Sequence, residues 1–166
     1  MNAGHLTHWL LALRESGHAR GVVAAIARSS DRQMAAHAAA HPTLVRKLST
    51  TPEHLRVPTL VALSYIARAR DTRHDPTVTV GRALTTLDAA SPADAVAAAI
   101  GLDQQGAARI LGGLLMRTPA CNLVAFAELI TSWDETPVAQ RARLLVDFHA
   151  AAAHGEDTPA RPRKTP

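Results

Sequence analysis

Apolar residues recur at intervals of three and four along most of the chain, which is the spacing of one helix face. The first run sets Leu6, Trp9, Leu10 and Leu13 on one face of a helix over 5–15, and Gly17 breaks it. Val22, Val23 and Ile26 mark a second helix over 19–28. Ser29, Ser30 and Asp31 stop it and recap an alanine-rich helix over 32–40. Pro42 turns the chain, Thr43 to Leu48 adds a turn or two of helix, and Ser49-Thr50-Thr51-Pro52 is a loop. Pro58 suits the first turn of the next helix, whose buried face is Leu60, Leu63 and Ala67 with Ile66 beside it, through Arg70.

The second half continues the pattern. Residues 71–76, DTRHDP, form a polar loop and the expected lobe boundary. Thr77-Val-Thr-Val80 alternates like a strand. With no second strand expected for it to pair with, it is read as an extended lead-in to a helix. Ser91-Pro92-Ala93-Asp94 is a start signal for a helix to Ile100, which Gly101 ends. Asp103 caps another through Arg117. Gly112 and Gly113 inside it each weaken a helix by roughly 1 kcal/mol, which is tolerable where another helix packs closely. After Pro119, Leu123, Phe126, Ala127, Ile130 and Trp133 form one stripe. Asp134 and Glu135 end it, Thr136 caps, Pro137 takes the first helical position, and Val138, Leu144, Leu145 and Phe148 make the next apolar face. The expectation is a helical hairpin, apolar inside, with Arg141 and Arg143 on a basic shoulder. Residues 155–166, GEDTPARPRKTP, read as a disordered tail.

Composition narrows the class to an all-α, compact helical bundle. The hydrophobic fraction is 47%, much of it alanine, and only 3% of residues are aromatic, which favours close helix packing over a β-sandwich. Two small helical lobes are expected, residues 1–72 and 73–154. The single cysteine, Cys121, excludes an intrachain disulfide and fits a reducing, cytoplasmic setting. The run Trp9 to Leu13 is too short to span a bilayer and lacks the flanks of a signal peptide, so no membrane partner is expected. Charge is uneven. Residues 1–70 hold nine basic and three acidic side chains, a local charge of +6, whereas residues 71–160 hold six and eleven, a charge of −5. Such asymmetry suits a polyanion on one side and other contacts on the other, and it also suits an ordinary solvated surface.

The order of landmarks in the C-terminal stretch resembles the small subunit of type I-E CRISPR Cascade complexes, the CasB family. These are a helix closed by Trp133, an acidic and proline break, and an arginine-bearing helix ending in Asp147-Phe148. Trp9, Leu13, Gly17, Arg20 and Arg28 resemble that family's opening. Leu60 to Ala67 resembles its central helix, and Val80-Gly81-Arg82-Ala83-Leu84 a following Gly-Arg-x-Leu segment. The 109–117 helix falls where the family has inner arginines. Leu144, Val146 and His149 depart from the family's usual Trp, Arg and Tyr. The resemblance implies a non-catalytic, all-helical subunit of an RNA-guided antiviral surveillance complex. Its implied partners are CRISPR RNA and target DNA with its displaced single strand, other Cascade subunits, and a second copy of itself, and its role would be to stabilise the R-loop.

Arginine's planar fork fits phosphate oxygens at every working pH, and strand binding without sequence preference needs little base readout. The candidate contacts are Arg14, Arg20, Arg28, Arg46, Lys47 and Arg82, with Arg109, Arg141 and Arg143 as a second patch. Singly, each also reads as a solvated surface side chain. Those of residues 14–70 are the stronger set. Trp9, Tyr65, Phe126, Trp133 and Phe148 lie on apolar faces and read as core, so binding should be electrostatic rather than by stacking. His37 and His41 stand one helical turn apart, but Ala38 replaces the glutamate of a metalloprotease helix and no cysteine pair accompanies them. Cys121 reads as a buried thiol. No catalytic residue, metal site or cofactor is expected. The alternative function is a helical adaptor or regulator that holds a protein partner.

Overall fold

The computed structural model describes residues 2–17, 19–87 and 92–156. In chain order the elements are α1 (Ala3–Ser16), α2 (Arg20–Ala27), α3 (Arg32–Ala39), α4 (Pro42–Leu48), α5 (Glu53–Arg68), β1 (Arg73–His74), α6 (Val80–Leu84), α7 (Pro92–Ile100) and α8 (Gln104–Leu115). They continue with β2 (Ala120–Cys121), α9 (Leu123–Thr131), a 3-10 turn (Trp133–Glu135), α10 (Val138–Arg141) and α11 (Arg143–Glu156). The chain is a helical bundle, as its apolar spacing predicts, and local chemistry sets many of the helix starts. The side chains of Asn2, Asp31, Asp103 and Asn122 accept the backbone N–H groups of His5, Met34, Gly106 and Ala125 at 2.9–3.0 Å. Each such cap stabilises its helix by about 1 kcal/mol. The Ser91 cap expected before α7 lies outside the described residues, as do residues 157–166 of the expected tail; residues 155 and 156 end α11.

The middle of the molecule is α5. It begins at Glu53, so Pro58 lies inside the helix rather than in its first turn. Proline removes one internal N–H donor there. Residues Thr59 to Ala67 are all buried, so the helix is enclosed on every side. It packs against α1, α2, α3, α8 and α9. One hydrophobic cluster therefore runs from Leu6 and Leu10 to Leu144 and Phe148.

Glycines let three helix pairs approach closely. A Cβ on Gly112 of α8 would lie 2.3 Å from Tyr65 ring atoms of α5, whereas one on Gly113 would meet nothing within 4 Å. A Cβ on Gly81 of α6 would lie 2.9 Å from the Phe148 backbone nitrogen of α11. Two of the landmark segments, Gly81-Arg82 and Asp147-Phe148, thus touch one another. Gly4 sits against Val124 and Glu128 of α9 in the same way.

The C-terminal stretch differs from the expected hairpin. α9 packs against α1 and α5, while α11 packs chiefly against α6 and α7. The 3-10 turn redirects the chain: Trp133 is fully buried and its Nε1 donates to Leu102 O at 3.0 Å, which pins the break to the α7–α8 loop. Thr136 turns its hydroxyl back to Ser132 O at 2.8 Å instead of capping α10. Pro137 holds the N-cap position with extended backbone, and Ala142 interrupts the helix. Val138 is 60% exposed, so the buried face begins at Leu144. A second difference is a two-residue parallel ladder, Arg73 with Ala120 and His74 with Cys121. Its strands are too short to show alternation; Arg73 N donates to Pro119 O and Asp75 N to Cys121 O, both at 3.0 Å, and beyond the ladder Asn122 N donates to Val78 O at 2.8 Å. Among the described residues no helix is long and apolar enough to cross a membrane.

Candidate nucleic-acid interface

α1, α2 and the loop after α5 enclose an open groove of about 1150 Å³. Its floor is apolar, with Leu11, Ala12, Leu13, Val23, Ala24, Ala27 and Ala67. Its rim carries Arg14, Arg20, Arg70, Arg73, His8 and His74, against two carboxylates, Glu15 and Asp71. Several cations converge on one concave surface because α2 reverses direction after Gly17 and Ala19. Both have left-handed backbone, φ +64° and +59°, and Arg20 follows immediately as the first residue of α2.

The rim arginines divide by what holds them. Arg14 reaches from α1 to the C-terminus of α5, where its Nη1 donates to Ile66 O at 3.0 Å and its Nη2 to Ala69 O and Arg70 O at 3.2 and 2.9 Å. A cation there also complements the negative end of the helix dipole. Burial lowers the Arg14 pKa from its ordinary value, and the nearby Arg70 charge lowers it further. Arg73 pairs with Asp75 at 3.1 Å. The Asp75 pKa lies below its ordinary value, first because the Thr77 hydroxyl and backbone N–H both donate to it. Arg20 and Arg70 are exposed, and no ion pair binds either side chain to another described residue. Like charges crowded at one rim make it receptive to an anion.

The other candidate cations are dispersed. Arg28, Arg46, Arg82, Arg109 and Arg143 are exposed on α2's C-cap, α4, α6, α8 and α11. Lys47 is half-buried, with its Nζ 5.3 Å from the centroid of the Trp9 ring, so Trp9 lies under a cation rather than wholly in the core. Tyr65, Phe126, Trp133 and Phe148 are buried. Arg141 is committed to the break it follows. Its Nε donates to Thr136 O at 2.8 Å, its Nη1 to Leu102 O at 3.3 Å, and its guanidinium lies over Trp133. The groove therefore unites Arg14 and Arg20 with Arg70, Arg73 and two histidines that the spacing of the chain does not single out. Arg70 belongs to the basic first half, which was the available signal; Arg73 sits in the polar loop and gave none.

Other chemistry finds little footing. Cys121 is buried, and desolvation pushes its thiol pKa up to about 12, so it is not a thiolate at neutral pH. α3 ends at Ala39, and His41 caps α4 by accepting from Thr43 N at 3.3 Å, so His37 and His41 do not share a helix face. Among the described residues no three His, Cys, Asp or Glu side chains cluster as metal ligands. No family model, curated protein or solved structure matches the chain.

Proposed function

We propose that this chain is a non-catalytic, nucleic-acid-binding subunit of an RNA-guided antiviral surveillance complex of the type I-E kind. It would hold guide and target nucleic acid and the displaced strand through arginine–phosphate contacts. The observation that supports this most is the arginine-rimmed groove, in which Arg20 and Arg70 face solvent beside Arg14. Phosphates would engage Arg20 and Arg70, while Arg14 holds the wall of the groove by closing α5. The apolar floor favours a second reading, a helical adaptor whose groove takes a protein partner.

The test is fluorescence anisotropy of a labelled single-stranded DNA at several salt concentrations. Affinity should fall as salt rises, with a logarithmic slope of about 0.7 per phosphate contact. The double variant Arg20→Gln/Arg70→Gln should lower that slope by about 1.4. A second arm adds the protein to a type I-E complex lacking its small subunit and scores incorporation. No DNA binding at about 50 mM salt together with no incorporation refutes the proposal. Salt-indifferent affinity for a protein alone supports the adaptor.

A further inference from the structure

The floor of the arginine-rimmed groove carries chemistry that phosphate contacts leave unused. Leu11, Leu13, Val23, Ala24 and Ala27 line it from α1 and α2, and each is only half-buried, so each still presents apolar carbon to the groove. At about 1150 Å³ the groove exceeds the roughly 300–1,000 Å³ of a small-molecule pocket and suits a run of polymer. Arg20 and Arg70 at its rim set the sign of that polymer as negative. A duplex would lay only its outward phosphates and sugars across such a groove. A single strand turns unpaired bases onto the floor while its phosphates reach the rim.

Much of the polar lining is already spent and leaves little for reading base edges. Arg14 serves three carbonyls, and Arg73 is paired with Asp75. The Thr72 hydroxyl donates towards Leu115 O and Thr118 O, each at 2.9 Å, and His74 Nδ1 accepts from Leu123 N at 3.2 Å. The imidazoles of His8 and His74 stand edge to face, with ring centroids 5.8 Å apart. Among the described residues no Phe, Tyr or Trp lines the groove, so the usual stacking platform for a single strand is absent. What an aliphatic floor recognises on a base is a methyl group, and thymine carries one at C5 where cytosine and uracil carry hydrogen. We infer, on the nucleic-acid reading proposed above, that this groove seats thymine methyl groups and so prefers thymine-bearing single-stranded DNA to strands of uracil or cytosine. Burial of those methyls adds to the arginine contacts a grip that salt does not screen.

Fluorescence anisotropy of the full chain with labelled deoxy homopolymers of equal length tests this: oligo-dT, oligo-dU, which lacks only the methyl groups, and oligo-dC. One seated methyl should favour oligo-dT over oligo-dU by about fourfold. That ratio should hold as salt rises, while both affinities fall. The double variant Val23→Thr/Ala24→Ser puts hydroxyls on the floor and leaves Arg20 and Arg70 in place. It should at least halve the ratio with the salt slope unchanged, whereas Val146→Thr, on exposed α11 outside the groove, should keep the parent's ratio. Equal affinity for oligo-dT and oligo-dU, with the salt slope intact, overturns the inference and leaves the phosphate contacts standing. Oligo-dC at or above oligo-dT also overturns it, and assigns base readout to the exposed carboxylates Glu15 and Asp71, which accept from a cytosine amino group. So does a folded floor variant that retains the full ratio. No strand binding at about 50 mM salt removes both the methyl seat and the nucleic-acid reading beneath it.

Discussion

Replacing Gly112 with alanine tests the seam between α5 and α8. The added methyl would lie 2.3 Å from Tyr65 Cδ1 and Cγ and 2.9 Å from Cδ2. Carbon atoms rest at about 3.5–4.0 Å, so something must move by more than about 1 Å. The contact falls at the root of the ring, and Tyr65 is buried within the enclosed part of α5, so the ring has no free space to swing into. Overpacking of this kind costs about 1–3 kcal/mol, and a clash against ring-root atoms belongs at the upper end. Alanine recovers about 1 kcal/mol of helix propensity. The net loss is about 2 kcal/mol, which lowers the melting temperature by about 4–8 °C in a chain of this size. Gly113 is the internal control. Alanine there meets nothing, so the propensity gain of about 1 kcal/mol stands alone and the protein becomes more stable. Urea unfolding followed by circular dichroism measures both variants, and the Tyr65→Ala background should remove the penalty at Gly112. A Gly112→Ala protein at least as stable as the parent would refute the reasoning.

Three further outcomes follow from named contacts. Arg14→Lys loses the planar fork that reaches three carbonyls and should cost about 1–3 kcal/mol of stability in the same unfolding assay. Asp75 has a folded-state pKa below its ordinary value, so its stabilisation is complete above the ordinary aspartate pKa of about 3.9 and is lost as pH falls through the lower folded value. Asp75→Asn should flatten the acid limb of the stability–pH profile, and an unchanged limb would count against the Thr77 and Arg73 contacts. Cys121, buried and with its thiol pKa pushed up to about 12, should resist Ellman's reagent at pH 8 in the folded protein and react once in denaturant.

Much of the helix pattern is legible in the chain because it depends on near neighbours. Apolar spacing, Asp31 and Asp103 as caps, and Gly17 as a stop all act within a turn or two, so residue types at fixed offsets suffice to place α1, α2, α3 and α8. Pro58 resembles a first-turn proline, so local pattern places the start of α5 too late; the helix begins at Glu53 and already runs past the proline. What packs on what depends on residues far apart in sequence. Nothing nearby distinguishes Gly112 from Gly113; the Tyr65 ring, brought in by α5, makes one of them indispensable. α9 and α11 are separated in the chain only by the 3-10 turn and the short α10 but turn to different partners, because Trp133 is anchored to Leu102 and Gly81 opens a seat for Phe148. The arginines show the same division. Composition marks the first half as basic, yet Arg14 is spent on the end of α5 and Arg141 on Leu102 and Thr136, while Arg20 and Arg70 are left facing solvent across one groove. A local pattern selects the helix, because its hydrogen bonds close over four residues. Which side chains remain available for a ligand is settled by contacts that form only when distant segments meet.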